Sequence, residues 1–500
     1  GAVVPGGITP LARRFRLVAS APTAAKWLTE VQASMFAVVP APQMDAAEEH
    51  HLVLTRAQCP APLMARVFRF AELYRAACAD PGAGLHKARR LGTRQLIRIA
   101  ARLAHWPDSD VHATLWRGQL VDFMPRTVRD VVATLLTTAG IVPHGTEGAV
   151  QYIPPLEVAP PQIDGASLVF VDARGRELLR VPRYAWQTHD PAGRALIPNA
   201  EGSFHHNPQQ SRMLLFFVQD LVVLREHLLL MGAQGTGKNK LIDQTLELLD
   251  RPREYVQLSR DSTVGELLQR MYLEDGQLRY AESPLVRAVR LGRVLVVDEV
   301  DKCSPAVSAV FKSLAERGEL TLPDGRRVRP PGSAGADHDV IVHPDFRLVL
   351  LANRPGWPFL GNSFTEVIGD GFSPYAVANP DVASELALLR KVAPHVRPSL
   401  LHSLVAAFHD LRAAFERDEI NHPYSLRELL HIARHLDAFP GEPLGDVLLN
   451  VLAFDLHRPE ALRVVVDTLE RRGLTVGDVS IGALQERAAK KEREAPGRVE

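Results

Sequence analysis

Lys238, Asp298, Glu299 and Asn353 each follow an apolar run, and together these residue types could bind a polyphosphate and aim water at it. Leu228-Leu229-Leu230-Met231 suits a buried strand and leads through Gly232-Ala233-Gln234-Gly235-Thr236-Gly237 to Lys238 and Asn239. The segment beyond, with Leu241, Ile242, Leu246 and Leu249, has the spacing of a helix. Glycines let backbone N–H groups turn inward around a phosphate, and the start of the helix adds partial positive charge. Lys238 supplies a full charge to the outer phosphates. Asp298-Glu299 ends the run Val294-Leu295-Val296-Val297. Here Asp298 would hold Mg²⁺, directly or through water, and Glu299 would orient and deprotonate the attacking water. Asn353 ends Phe346-Arg347-Leu348-Val349-Leu350-Leu351-Ala352. An amide beside the γ-phosphate can hold that water and register the phosphate's departure.

Each feature has a plainer reading: a glycine turn before a helix, a polar strand end, a solvated Asn. The order of the three termini is what sets them apart. Roughly 60 residues separate Lys238 from Asp298, room for one or two intervening strand and helix units. One position departs from the usual pattern. Ser or Thr, whose hydroxyl ligates Mg²⁺, commonly follows the lysine, whereas here the residue is Asn239. Its amide oxygen can approach a metal but is bulkier and a weaker ligand.

The elements that must position these groups read as alternating strands and helices: a helix over 213–224, strands at 227–231, 254–258, 294–297 and 346–353, and a helix near 284–290. Asp275-Gly276 reads as a turn, and 319–328 as a hairpin turning at Asp324-Gly325. Continuous apolar strands in that alternation imply a parallel sheet covered on both faces. Composition is that of an ordinary globular protein, 46% apolar and 23% charged, and 58 basic residues balance 58 acidic ones. That balance points away from a nucleic-acid partner. Cys59, Cys78 and Cys303 form no disulfide or zinc spacing, which fits a reducing interior. No run approaches the roughly 18 apolar residues of a membrane span.

An internal repeat organises the rest. Leu91-Gly92-Thr93-Arg94-Gln95-Leu96-Ile97-Arg98-Ile99-Ala100-Ala101-Arg102-Leu103 recurs as Tyr424-Ser425-Leu426-Arg427-Glu428-Leu429-Leu430-His431-Ile432-Ala433-Arg434-His435-Leu436, and Val131–Leu135 recurs as Val465–Leu469. One helical domain thus occurs twice. Residues 1–59 read as the remnant of an upstream core, 60–140 as the first helical domain and 141–207 as a linker with a hairpin. Residues 208–392 follow as the α/β core, 393–475 as the second helical domain and 476–500 as a charged tail. The chain opens at Gly1 and reads as a piece of a longer protein. His205-His206 read as surface residues rather than a metal site, because neighbours rarely point the same way. Asp478-Val479-Ser480-Ile481 lacks the apolar strand that a metal-binding start of a von Willebrand A domain needs.

Gly232 to Asn239, Asp298-Glu299, the 319–328 hairpin, Asn353 and Ser425-Leu426-Arg427 together resemble an AAA+ ATPase, whose Walker A, Walker B, pre-sensor hairpin, sensor 1 and sensor 2 motifs they match in order. Tyr255 to Thr263 and Ser283 to Ala288 narrow the resemblance to the dynein, midasin and MoxR branch. It implies an α/β P-loop module with a C-terminal helical lid, preceded by the lid of a truncated module. ATP and Mg²⁺ are the implied cofactors: residues 232–239 hold the nucleotide, Asp298 and Asn239 the metal, and Glu299, Asn353 and Arg427 serve catalysis. The implied partners are neighbouring modules or copies in a ring and a client protein. Likeness to a large dynein-like ATPase of the mitochondrial matrix implies that location. The family often sets an arginine finger before a Phe soon after sensor 1. Aligning Phe15 with Phe372 puts Arg14 opposite Gly371, so the complete module lacks what the remnant has. A module that binds ATP but scarcely turns it over is the alternative. A small-molecule kinase is a third reading, which the helical repeat argues against.

Overall fold

The computed structural model describes residues 37, 39, 44–83, 85, 88, 91–143, 156–184, 190–200, 204–333, 338–354, 364–452 and 458–476. Residues 1–52 form one compact unit and 53–500 a second. Helix α1 (Ala46–Ala57) begins in the former. Arg14 and Asp478 to Ile481 lie outside the described residues.

In the second unit, α2 (Ala61–Ala79), α3 (Thr93–His105), α4 (Val111–Gly118) and α5 (Arg126–Thr138) enclose an apolar core containing Met64, Phe70, Tyr74, Leu96 and Leu136. A small antiparallel sheet follows, β1 (Gln162–Asp164), β2 (Ser167–Val171) and β3 (Glu177–Pro182). Then α6 (Pro208–Val218) widens into a π-helical turn over Gln219–Val223. Next in order come β4 (Leu228–Gly232), α7 (Lys238–Leu248), β5 (Arg253–Gln257), α8 (Val264–Leu268), the hairpin β6 (Gln269–Glu274) and β7 (Gln277–Glu282), α9 (Pro284–Leu291) and β8 (Val294–Asp298). After α10 (Pro305–Arg317), short strands β9 (Leu320–Thr321), β10 (Arg327–Arg329) and β11 (Val340–Ile341) lead to β12 (Arg347–Asn353), α11 (Phe364–Ile368) and β13 (Ser373–Ala376). Five helices follow among the described residues, α12 (Val382–Val392), α13 (Pro398–Glu416), α14 (Leu426–Ala438), α15 (Leu444–Val451) and α16 (Pro459–Arg471).

β13, β4, β12, β8 and β5 form one parallel sheet in that order. Alternate residues of each central strand face opposite ways. Leu229, Met231, Leu295, Val297, Leu348 and Leu350 join one core, and Leu228, Leu230, Val294, Val296, Val349 and Leu351 the other. Both faces are therefore covered, which is why these strands are apolar throughout. Two elements were not legible in the sequence. Asp275 (φ +52°) and Gly276 (φ +75°) do form a turn, but it joins two six-residue strands whose mixed composition lacks a period of two. β13 contains Pro374, which an edge strand tolerates because one side of its ladder has no partner.

α3 and α14, the repeated helices, start at equivalent N-caps, Gly92 and Ser425, but dock differently. α3 lies on the α/β core. Arg98 donates to the carbonyls of Phe372 (3.0 Å) and Asp370 (3.1 Å), and Arg102 pairs with Asp220 at 2.8 Å, both side chains under 5% exposed. The other oxygen of Asp220 accepts from Ser373 Oγ and Tyr375 OH, each at 2.6 Å, while the Arg117 guanidinium stacks 4.2 Å over the Tyr375 ring. Burial opposes the charge on Asp220, but Arg102 and Arg117 outweigh it, so its carboxyl stays below the usual range. Removing one partner of a buried pair strands the other. Arg102→Met should therefore destabilise the protein by about 3–5 kcal/mol, seen as a lower midpoint of chemical or thermal unfolding.

Candidate functional site

The chemistry gathers at the carboxyl edge of the sheet. β4 ends at Gly232, beside Asn353 at the end of β12, and β8 ends next door at Asp298. A Cβ on Gly232 would stand 2.2 Å from the Val377 carbonyl oxygen, so no larger residue fits there. Gly235 (φ +82°) and Gly237 (φ +86°) take left-handed backbone, which L side chains rarely adopt. The Thr236 hydroxyl donates to the Ala233 carbonyl (3.0 Å) and tightens the loop. Gly232 to Asn239 thus form one strand-to-helix loop, with Lys238 opening α7.

Lys238 Nζ donates to the carbonyls of Gly232 and Ala233, each at 2.9 Å. Burial pushes its ammonium down to about 8, against the pull of Asp298 and Asp301 and with Arg427 adding to the push. The sign of the consequence is fixed. Without a phosphate partner Lys238 sheds its proton as the pH rises past about 8, whereas a bound phosphate holds the proton in place. ATP affinity should be flat below pH 8 and fall above it by up to about tenfold per pH unit, with proton uptake on binding. Calorimetric titrations in two buffers of different ionisation enthalpy measure that uptake directly.

Asp298 sits among donors. Asn239 Nδ2 and the Tyr255 hydroxyl both reach its Oδ2 at 2.8 Å, and the Glu299 N–H reaches Oδ1 at 2.8 Å. Because the carboxylate only accepts, the Asn239 amide must turn Nδ2 toward it. The Asn239 Oδ1 is then left buried and without a hydrogen-bond partner. An orphaned amide oxygen beside a carboxylate is a donor set suited to a hard divalent cation such as Mg²⁺. Glu299 has left-handed backbone (φ +57°), unusual for a non-glycine residue and a form of strain found at functional sites. Its Oε1 accepts from Lys302 Nζ at 2.5 Å and its Oε2 from Gln257 Nε2 at 3.1 Å.

Asn353 is held by Asp301: its N–H reaches Oδ1 at 3.0 Å and its Nδ2 reaches Oδ2 at 3.2 Å. The lid closes the site. A Cβ on Gly235 would lie 2.7 Å from Ser425 Oγ and 3.5 Å from Arg427 Cβ. Ser425 and Glu428 form a reciprocal capping box at the start of α14, which fixes that first turn against the loop. Arg427 is close enough to Lys238 to perturb its charge.

The structure therefore brings the residues assigned to nucleotide, metal and catalysis to one place: the 232–239 loop, Asp298, Glu299, Asn353 and Arg427. It adds three that sequence reasoning missed, Tyr255, Gln257 and Asp301. Tyr255 and Gln257 are two apart on β5, so they share a face, and β5 pairs with β8 so that Gln257 lies opposite Asp298. Asp301, two residues past Glu299, could have been noticed as a further carboxylate, but its partner could not. His205 is half-buried rather than at the surface, with Nδ1 lacking a hydrogen-bond partner. Burial, then Lys391 and Arg434, pushes its pKa down.

A parallel sheet ordered β13-β4-β12-β8-β5, a glycine loop opening a helix, acidic and amide strand ends, and a helical lid on the loop define an AAA+ module. Residues 227–372 match the family described as an AAA domain of the dynein-related subfamily. The chain therefore carries an AAA+ module of the MoxR and dynein-like branch. It is 39% identical over 392 residues to von Willebrand factor A domain-containing protein 8 of Mus musculus, across 78% of this chain and 20% of that protein. The chain thus spans about a fifth of that relative's length. It is also 28% identical over 319 residues to gas vesicle ATPase GvpN2 of Halobacterium salinarum (58% of this chain, 87% of that one). Protein NorQ of Paracoccus denitrificans is 31% identical over 129 residues, 26% of this chain and 44% of that protein.

Proposed function

We propose that the module binds ATP with Mg²⁺ between the sheet edge and the lid, hydrolyses it, and passes the resulting change of lid angle to adjoining modules of a larger dynein-like assembly. The observation that carries this reading is the convergence of Lys238, Asp298, Glu299 and Asn353 on one sheet edge under Ser425 and Arg427. Loop N–H groups and Lys238 would hold the phosphates, and Asn239 Oδ1 with Asp298 would hold Mg²⁺, which supplies charge neutralisation on the phosphates. Glu299 takes the proton of the attacking water once its carboxylate leaves Lys302 and Gln257. Asn353 offers that water an acceptor, and Arg427 brings positive charge from the lid.

A second reading, ATP binding with scarce turnover in a structural or regulatory module, draws support from Asn239 in the usual hydroxyl position and from Gly371 where a finger could stand. ATP affinity and steady-state phosphate release, measured on one sample with and without Mg²⁺, separate the two. Mg²⁺-dependent release supports hydrolysis, and tight binding with no release supports the second reading. Packing against neighbouring modules or copies in a ring, action on a client protein and residence in the mitochondrial matrix belong to the same proposal. The family resemblance supports them, and particle size with and without ATP tests the assembly.

A further inference from the structure

Asp301 is 4% exposed, and nothing in the reaction as described uses it. The left-handed turn at Glu299 folds the chain back so that the Val300 N–H donates to the Leu351 carbonyl at 3.1 Å. That bond sets Asp301 against the end of β12, where its two oxygens take the backbone N–H and the Nδ2 of Asn353. A carboxylate has no hydrogen to give, so the donor end of the Asn353 amide must face it. The acceptor end, Oδ1, is thereby turned away from Asp301. A water that is to be deprotonated needs an acceptor to orient it, and an amide flipped the other way would offer it a second donor instead.

We propose that Asp301 is a positioning residue for ATP hydrolysis: it locks the Asn353 amide in the one orientation that leaves an acceptor oxygen for the attacking water. The inference rests on the ATPase reading above. It assigns Asp301 no contact with nucleotide and no part in proton transfer. Asp301→Asn tests it, because the shape is kept while the new amide brings an NH₂ toward Asn353 and permits the flip.

Asp301→Asn is expected to lower kcat by about 10- to 100-fold, the scale of a misplaced reacting group, with the KM for ATP and the affinity for a fluorescent ATP analogue unchanged. Asn353→Ala should lose a similar factor, and the double variant no more than the worse single one, since both changes remove one function. A purely structural role would instead lower thermal stability and leave kcat per folded molecule intact. Should Asp301→Asn fail to fold, Asp301→Ser removes the carboxylate with a smaller side chain whose hydroxyl can donate as well as accept, and should show the same split, reduced kcat at unchanged KM. Parent-like kcat in the folded variant, or losses that multiply in the double variant, overturns the inference alone. A parent chain that releases no phosphate above the protein-free blank overturns the ATPase reading and this inference with it.

Discussion

Glu299→Gln is expected to reduce steady-state phosphate release by roughly 10² to 10⁴ while ATP still binds, the range that removal of a general base commonly costs. The substitution is close to isosteric, so the left-handed turn at Glu299 and the reach of Asp301 to Asn353 should survive it. What is lost is the second carboxylate oxygen and with it the ability to take a proton. Holding Glu299 through Lys302 and Gln257 adds a further consequence. Both donate to its carboxylate oxygens, and both must release it before water can use it. The variant should therefore accumulate bound ATP. Phosphate release as fast as in the parent would show that Glu299 is not the base.

Lys238→Met should act on binding, not turnover. It keeps most of the side-chain length and removes the only ammonium that lies on the loop carbonyls of Gly232 and Ala233 among the described residues. Truncating one partner of a buried, hydrogen-bonded charge pair costs about 2–5 kcal/mol, which corresponds to roughly 30- to 4,000-fold weaker ATP binding at pH 7. The variant should also lose the fall in affinity above pH 8, because the group that titrates there is gone. Equilibrium binding of a fluorescent ATP analogue at pH 7 and pH 9 measures both effects. ATP affinity equal to the parent at pH 7 would remove the phosphate loop from the mechanism.

These two residues were legible because their signals are local. A run of buried aliphatics ending in glycine and lysine, or in two carboxylates, depends on neighbours along the chain, and so does the preference for glycine at positive φ. The capping box at Ser425 and Glu428 is equally local, and it marks the start of the lid helix that carries Arg427. Tyr255 and Gln257 were not legible for the opposite reason. Their roles depend on β5 lying beside β8, and sheet order is decided by which apolar faces pack together, not by distance in sequence. The same holds for the first copy of the repeated helix. Arg94 is aligned with Arg427, while Arg98 and Arg102 are aligned with His431 and His435; in the fold Arg94 pairs with Glu316, Arg98 with Glu226 and Arg102 with Asp220. Only packing separates a helix that closes on a phosphate loop from one that docks on the next core.

Local chemistry along the chain dictates the parts: a phosphate loop, two polar strand ends and a helical stretch whose pattern recurs. These follow from backbone sterics and hydrophobic periodicity, which act over a few residues. Folding in three dimensions sets how the parts are held, with Asn239 and Tyr255 on Asp298, Gln257 on Glu299, Asp301 on Asn353 and Ser425 on Gly235. Each of those contacts joins groups from different elements, or from a strand end and the turn behind it. Its geometry exists only once the sheet has ordered its strands and the lid has come to rest on the loop.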